Sequence, residues 1–305
     1  MLDGILEEVN SQPDLLGRLA RRTLPRLPAD SLLVGAGDSY IAAQCASLLS
    51  SFHQVALDPY VLIASPDLCR GRTVAFLSVS GRTRSNIAAA RKVKGVALRS
   101  LCVTANADSP LAETTGAVVP IPYEYRPRVP GTLSFTLMLA CALKLASVHC
   151  DCGFQRLFER AKTDSSALGF SASGTTFFLG NHSAFPAALY AASKTYEFFG
   201  GSAQAELLEE FSHLELFSLK KRDSVNIFRH ADPSAVGRRL TRSLTTRGFK
   251  ATQIQSGSAD AVEGAFHAVF AAQHAVLSQM RARGLTAPYF MRSSEKLGAS
   301  DDIIY

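Results

Sequence analysis

The feature that most constrains this chain is an alternation of short apolar runs with helical stretches, completed once and then repeated. LLVGAG (32–37) is a strand running into a glycine turn, and Ser39–Ser51 follows as a helix. TVAFLSVSG (73–81) is again strand and turn, with a helix over Thr83–Lys94. LRSLCVTAN (98–106) and AVVPIP (117–122) are further strands around a short helix at Leu111–Thr115, and Leu133–Ser147 reads as a long apolar helix. After a polar stretch (151–173) the pattern restarts with TTFFLG (175–180) as strand and Ala184–Phe199 as helix. HLELFSL (213–219), SVNIFRH (224–230) and KATQIQ (250–255) read as strands, and Ala235–Arg247 and Ala261–Arg283 as helices. Near-continuous apolar strands alternating with helices specify a parallel sheet covered on both faces. The expectation is therefore an α/β protein of two such units, preceded by a helix over residues 1–22 that breaks at Pro13 and followed by a tail after Pro288.

The chain has 305 residues, which is room for two domains, and its 47% hydrophobic content supports a sizeable core. The net charge is +6, but the densest basic groups, Arg18–Arg26 and Arg238–Arg247, read as helix faces without interleaved aromatics. That pattern argues against a nucleic-acid surface and leaves an anionic small substrate, such as a phosphate ester, which needs only a few local donors. The longest apolar stretches, Leu133–Ala146 and Ala265–Met280, are interrupted by Lys144 and by two histidines, so neither predicts a membrane span. MLDGILEEVN is acidic and amphipathic, unlike a signal peptide. Cys45, Cys69, Cys102 and Cys141 fall in or beside apolar runs, and Cys150 and Cys152 form a C-x-C without the partners of a zinc site. A reducing, cytoplasmic location without a bound metal follows as the expectation.

In open parallel sheets, ligands sit at the carboxyl ends of strands, where helix N-termini offer free N–H groups. Two turns fit that position: Gly35-Ala36-Gly37-Asp38-Ser39 and Ser78-Val79-Ser80-Gly81-Arg82-Thr83. Hydroxyls here can simply cap the following helices. Two hydroxyl-bearing turns at successive strand ends instead suggest that both face one phosphate. Tyr40 breaks the dinucleotide G-x-G-x-x-G pattern and no Walker loop is present, so no nucleotide cofactor is expected. In the second half, Lys194 and Glu197 are spaced i, i+3 for an ion pair on one helix. His213 lies among apolar residues in FSHLELF, as either a satisfied core group or a functional one.

Taken together, these segments resemble the sugar isomerase (SIS) domain proteins, especially the isomerase portion of glucosamine-6-phosphate synthase. EEVNSQP (7–13) is similar to the family's E-x-x-E-Q-P opening, GAGDSY (35–40) to its G-T-S-Y turn, and SVSGRT (78–83) to its S-Q-S-G-E-T phosphate loop. VPGTLSFT (129–136) resembles A-S-T-K-A-F-T, and KTYE (194–197) resembles K-L-K-E. Glu210 and His213 fall on the E and H of G-E-L-K-H-G-P, while E-x-x-H-x-E (210–215) is closer to bifunctional phosphoglucose/phosphomannose isomerases. The departures are Val79 for Gln, Arg82 for Glu and Asp38 for a hydroxyl. A carboxylate at that last position would repel phosphate unless turned away or paired, with Arg82 as the candidate partner.

The resemblance implies two tandem SIS-type (flavodoxin-like) domains, 1–152 and 153–287, with a tail over 288–305 closing the active site. It implies isomerisation of a hexose 6-phosphate through an enediol, or deamination of glucosamine 6-phosphate to fructose 6-phosphate without a glutaminase domain. Glu197 would be the base, His213 would assist ring opening, and Lys296 would neutralise charge or form an imine, where the bland alternative is a surface lysine. Gly37, Asp38, Ser39, Ser78, Ser80, Thr83, Thr132 and Lys194 would bind substrate and its phosphate. No cofactor is implied, and a homodimer with shared sites is, because the family's His can come from the neighbouring subunit. The alternative is a non-catalytic sugar-phosphate-binding regulator. Such a regulator would be expected to carry a DNA-binding helix-turn-helix, for which the segment before the first strand is too short.

Overall fold

The computed structural model describes residues 1–126, 129–230 and 235–305. The chain divides into two compact units, residues 7–151 with 294–305 and residues 1–6 with 152–293. In chain order the first run of elements is α1 (Leu2–Arg21), β1 (Ser31–Gly35), α2 (Asp38–Leu49), β2 (Gln54–Leu57), α3 (Pro59–Ala64), β3 (Thr73–Leu77), α4 (Arg84–Val93), β4 (Arg99–Thr104), α5 (Pro110–Thr114), β5 (Val118–Pro120) and α6 (Leu133–Leu145). The five strands are parallel in the order β2-β1-β3-β4-β5. This doubly wound order reverses direction between β1 and β3, which is where such sheets open a crevice at their carboxyl ends. β1 and β3 are buried along their whole length, and Leu32, Val74 and Phe76 pack on Ala89, Ala90 and Val93 of α4.

The second run is α7 (Phe154–Asp164), β6 (Thr176–Gly180), α8 (Ala184–Phe199), β7 (Ala203–Leu207), α9 (Leu208–His213), β8 (Ser224–Arg229), α10 (Val236–Thr246), β9 (Lys250–Gln255), α11 (Ala261–Ala282), α12 (Tyr289–Arg292) and α13 (Ser294–Ile304). Its four strands are also parallel, in the order β7-β6-β8-β9. One core cluster gathers Phe177, Leu179, Val225 and Ile227 from the sheet with Phe211 and Leu244. α7 packs on α11 through edge-to-face ring pairs, a geometry that sets the positive edge of one ring on the negative face of the other. Phe154 meets Phe266 with ring centres 5.1 Å apart. Phe158 meets Phe270 at 5.4 Å.

Several expectations need correction. α1 does not break at Pro13. A proline there cannot donate to the carbonyl of Val9. The Gln12 amide supplies the missing donor at 3.1 Å. HLELFSL is not a strand: α9 and a short 3-10 turn occupy it, and the edge of the sheet is taken by β7. The alternating HLELF pattern imitated a half-buried strand. In the fold, Leu214 is 61% exposed and Phe217 is 85% exposed. The polar stretch 151–173 contains α7, whose Phe154, Leu157, Phe158 and Ala161 form one buried helical stripe.

Candidate functional site

The two hydroxyl-bearing turns flank the reversal point between β1 and β3. At the first, the chain turns from β1 into α2 so tightly that a Cβ on Gly35 would stand 2.8 Å from the Ser39 carbonyl carbon. Gly37 follows at φ 56, a left-handed conformation that glycine adopts without steric cost. Asp38 then opens α2 and Ser39 is buried beneath it.

The second turn is a cradle of hydroxyls. The Gly81 N–H donates to Ser78 Oγ at 3.1 Å, and the Arg82 N–H donates to Ser80 Oγ at 3.2 Å. Ser78 and Thr83 bring their hydroxyl oxygens within 3.3 Å of each other. Both serine oxygens accept from the loop's own amides, and whichever of Ser78 and Thr83 accepts in their mutual bond keeps its own proton for another partner. Thr83 makes no side-chain cap on α4, so the plain helix-capping role does not describe it. α4 therefore keeps its first N–H groups for another acceptor, with the positive end of its dipole at the same place. β4 braces the loop, with Thr104 donating to the Val79 carbonyl at 3.1 Å and the Asn106 amide to the Ser80 carbonyl at 3.5 Å. Arg82 is exposed and forms no ion pair among the described residues, so it is not the partner that Asp38 invited.

Thr132 precedes α6 and is buried, but its hydroxyl donates to Glu8 Oε2 at 3.2 Å. The Tyr123 hydroxyl donates to the other oxygen of Glu8 at 3.1 Å. Burial raises the Glu8 carboxyl above its ordinary range, opposed by these two hydrogen bonds and by Arg126. Thr136 donates to the Gln12 side chain at 2.8 Å, a second bond between α1 and α6. In the sequence, Glu8 and Gln12 stand out only as members of the EEVNSQP segment, with no role of their own. The signal lay in that motif's polar residues, which occupy buried positions of a helix.

α13 carries Lys296, which is exposed. The same helix reaches the cradle, because Arg84 Nη1 donates to the Asp302 carbonyl at 2.6 Å. The Tyr305 hydroxyl lies beside Ser80, and burial raises its pKa above the ordinary tyrosine value. The sequence held no sign of that tyrosine's placement.

The remaining candidates belong to the other unit. Lys194 is 1% exposed on α8, and its ammonium donates to both oxygens of Glu197, at 2.9 and 2.7 Å. It also stands 5.0 Å from the centre of the Tyr190 ring, whose hydroxyl accepts from Gln273 of α11 at 2.9 Å. Glu197 keeps 31% of its side chain exposed, so a buried cation holds a carboxylate that faces outward. His213 is not a core group. Its side chain is 69% exposed on α9, and its Nε2 donates to Glu209 at 3.2 Å. The structure thus joins Lys194 to Glu197 and pairs His213 with Glu209 instead. Among the described residues, no group of three or more His, Cys, Asp or Glu side chains could hold a metal ion, and no helix is long and apolar enough to cross a membrane. Cys45, Cys69, Cys102 and Cys141 are buried thiols, as their apolar neighbours in the sequence suggested.

No protein-family model matches the sequence, and a search of curated proteins finds no match. Solved structures do match. Glucosamine-6-phosphate deaminase from Thermotoga maritima is similar with a TM-score of 0.77 at 20% identity, over 92% of this chain and 95% of that one. Tagatose-6-phosphate ketose/aldose isomerase from Escherichia coli gives 0.75 at 20% identity, over 92% and 94%. The C-terminal domain of glucosamine-fructose-6-phosphate aminotransferase from Francisella tularensis gives 0.72 at 16% identity, over 93% and 97%. At these identities the likeness establishes a shared α/β fold.

Proposed function

We propose that this chain is a phosphosugar isomerase acting on a hexose 6-phosphate, or an amino-sugar phosphate deaminase that uses the same proton transfer. The observation that carries the reading is the cradle over 78–83, which gathers the hydroxyls of Ser78, Ser80 and Thr83, the first and last bonded to each other, at the mouth of α4 beside the strand reversal. A dianionic phosphate ester suits those donors and the helix dipole. Gly37, Asp38 and Ser39 form the neighbouring turn of the same sheet, and Thr132 contributes through its bond to Glu8.

Glu197 is the proposed base. Aldose–ketose exchange requires one group to remove a proton from a sugar carbon and return it to the next, through an enediol. A carboxylate with an outward face, oriented by a buried ammonium, has the right chemistry for that transfer. His213 is assigned to ring opening from a neighbouring subunit, and Lys296 to the charge developing on the sugar oxygen. The domains proposed for this work are 1–152 and 153–287, with 288–305 as the closing tail.

The test is fructose 6-phosphate formation from glucosamine 6-phosphate, with ammonia release followed, and glucose 6-phosphate and mannose 6-phosphate run in parallel. Glu197→Gln should lower turnover by roughly 10²–10⁴-fold while leaving substrate affinity within a few-fold of the parent. A variant that stays active would remove Glu197 from its role. Saturable binding of these esters without turnover by the parent chain would leave the regulator reading in place.

A further inference from the structure

The first unit contains a second basic feature that the cradle does not use. The last turns of α1 and α6, with the residues after each, enclose a cleft of about 390 Å³ lined by Arg21, Arg22, Arg26, Lys144, His149 and Asp151 among others. It lies at the far ends of these helices from the Glu8–Thr132 and Gln12–Thr136 bonds. By the helical rise, Lys144 stands roughly 18 Å along α6 from Thr132. Four permanent cations face one carboxylate in the cleft.

Basic side chains at helix C-termini often do no more than complement exposed carbonyls. Lys144 does so, donating to the Ala20 carbonyl at 2.6 Å, and Arg22 leans on the Pro120 carbonyl at 3.4 Å. Both also act electrostatically on the buried thiol of Cys141, opposing the rise that burial causes in its pKa. Arg21 and Arg26 behave differently. Among the described residues neither side chain makes a hydrogen bond or an ion pair, and Asp151 in the same cleft pairs with neither. Both residues line this concave, positively charged volume, and Arg21 Nη1 stands 3.9 Å from where a Cβ on Gly17, one turn back on α1, would lie.

We propose that this cleft is an anion site, separate from the hydroxyl cradle, for a small ligand carrying phosphate or pyrophosphate, gripped by Arg21 and Arg26 over a floor charged by Arg22 and Lys144. The volume is that of a small-ligand pocket. Arginine forks match phosphate oxygens in pairs, which suits a dianion better than a single carboxylate. Among the described residues no Phe, Tyr or Trp side chain lines the cleft, so bases of a single-stranded nucleic acid would find only the small His149 ring to stack on.

The experiment titrates pyrophosphate into the 305-residue chain carrying Ser80→Ala and Thr83→Ala, so that binding at the hydroxyl cradle, right or wrong, is removed from the signal. Saturable one-to-one binding is expected by calorimetry at low ionic strength. Adding Arg21→Gln and Arg26→Gln should weaken it by at least about tenfold, whereas Arg21→Lys with Arg26→Lys, which keeps the charge, should weaken it less. Undiminished binding in the glutamine variant would overturn the proposal, as would no binding before it. A single-stranded RNA that binds more tightly than pyrophosphate and is lost with the same arginines would replace it with a nucleic-acid surface.

Discussion

At the scale of single residues, the cradle depends on one glycine more than on any hydroxyl. Gly81 sits at φ 65, and a Cβ there would collide with the Ser109 hydroxyl. Its N–H is the donor that fixes Ser78, and its carbonyl accepts from Leu111 at 3.1 Å. Gly81→Ala should therefore cost roughly 2–4 kcal/mol, combining left-handed strain with overpacking. It should raise KM for a phosphate ester more than it lowers kcat, since it distorts the cradle and leaves Glu197 untouched. Urea unfolding and initial-rate kinetics on one preparation check both parts, and a KM equal to the parent's would mean that the loop does not hold the ester. The hydroxyls of this turn were legible in the sequence because they follow an apolar strand directly. Glu8 was not, because the groups that give it a role, Tyr123 and Thr132, lie 115 and 124 residues away along the chain.

At the scale of elements, what was legible is what burial makes uniform. β1, β3 and β6 are buried throughout and were visible as apolar runs. The edge strands β2 and β7 are only partly covered, so their sequences, QVAL and AQAEL, carry no such run. α7 was hidden by its charged outer face, although its apolar stripe is regular. That stripe meets α11 at His274, whose ring stands edge-on to Phe158 at 4.5 Å. Nε2 of His274 is buried without a partner among the described residues, and burial, reinforced by Lys162, lowers its pKa from 6.5 to about 4. His274 is therefore neutral in the folded chain down to about pH 4, while the unfolded chain protonates it near 6.5. Unfolding then takes up a proton, so stability is retained above about pH 6.5 and lost as the pH falls towards about 4, at up to about 1.4 kcal/mol per pH unit. His267, lowered by burial but held by Asp164 at 2.9 Å, changes in the same direction with a smaller claim. His274→Leu should recover about 1–2 kcal/mol of the stability lost between about pH 7 and about pH 5, read from urea midpoints at the two values. Parallel losses in parent and variant would assign the acid sensitivity elsewhere.

At the scale of the whole molecule, the question is what His213 serves. Within its own chain its ring is turned to Glu209, while Glu197 is held by Lys194. Among the described residues, no hydrogen bond or ion pair connects the proposed base to the proposed ring-opening group. His213 is also followed by Leu214 and Phe217, whose exposure is costly for a chain that stays alone in water. Both facts are accounted for if a second copy covers this segment and receives His213 at its own Glu197. A symmetric dimer then has two sites, each built from the base of one subunit and the histidine of the other. Glu197→Gln and His213→Ala homodimers should each be inactive, because every site lacks one member. Co-refolded in equal amounts, they should regain about a quarter of the parent rate, since half the dimers are mixed and one site in each mixed dimer is whole. Activity per mole, measured as the mixing ratio is varied, should peak at equal proportions. If His213 served its own chain, every site in every mixture would carry a defect and no rate would return.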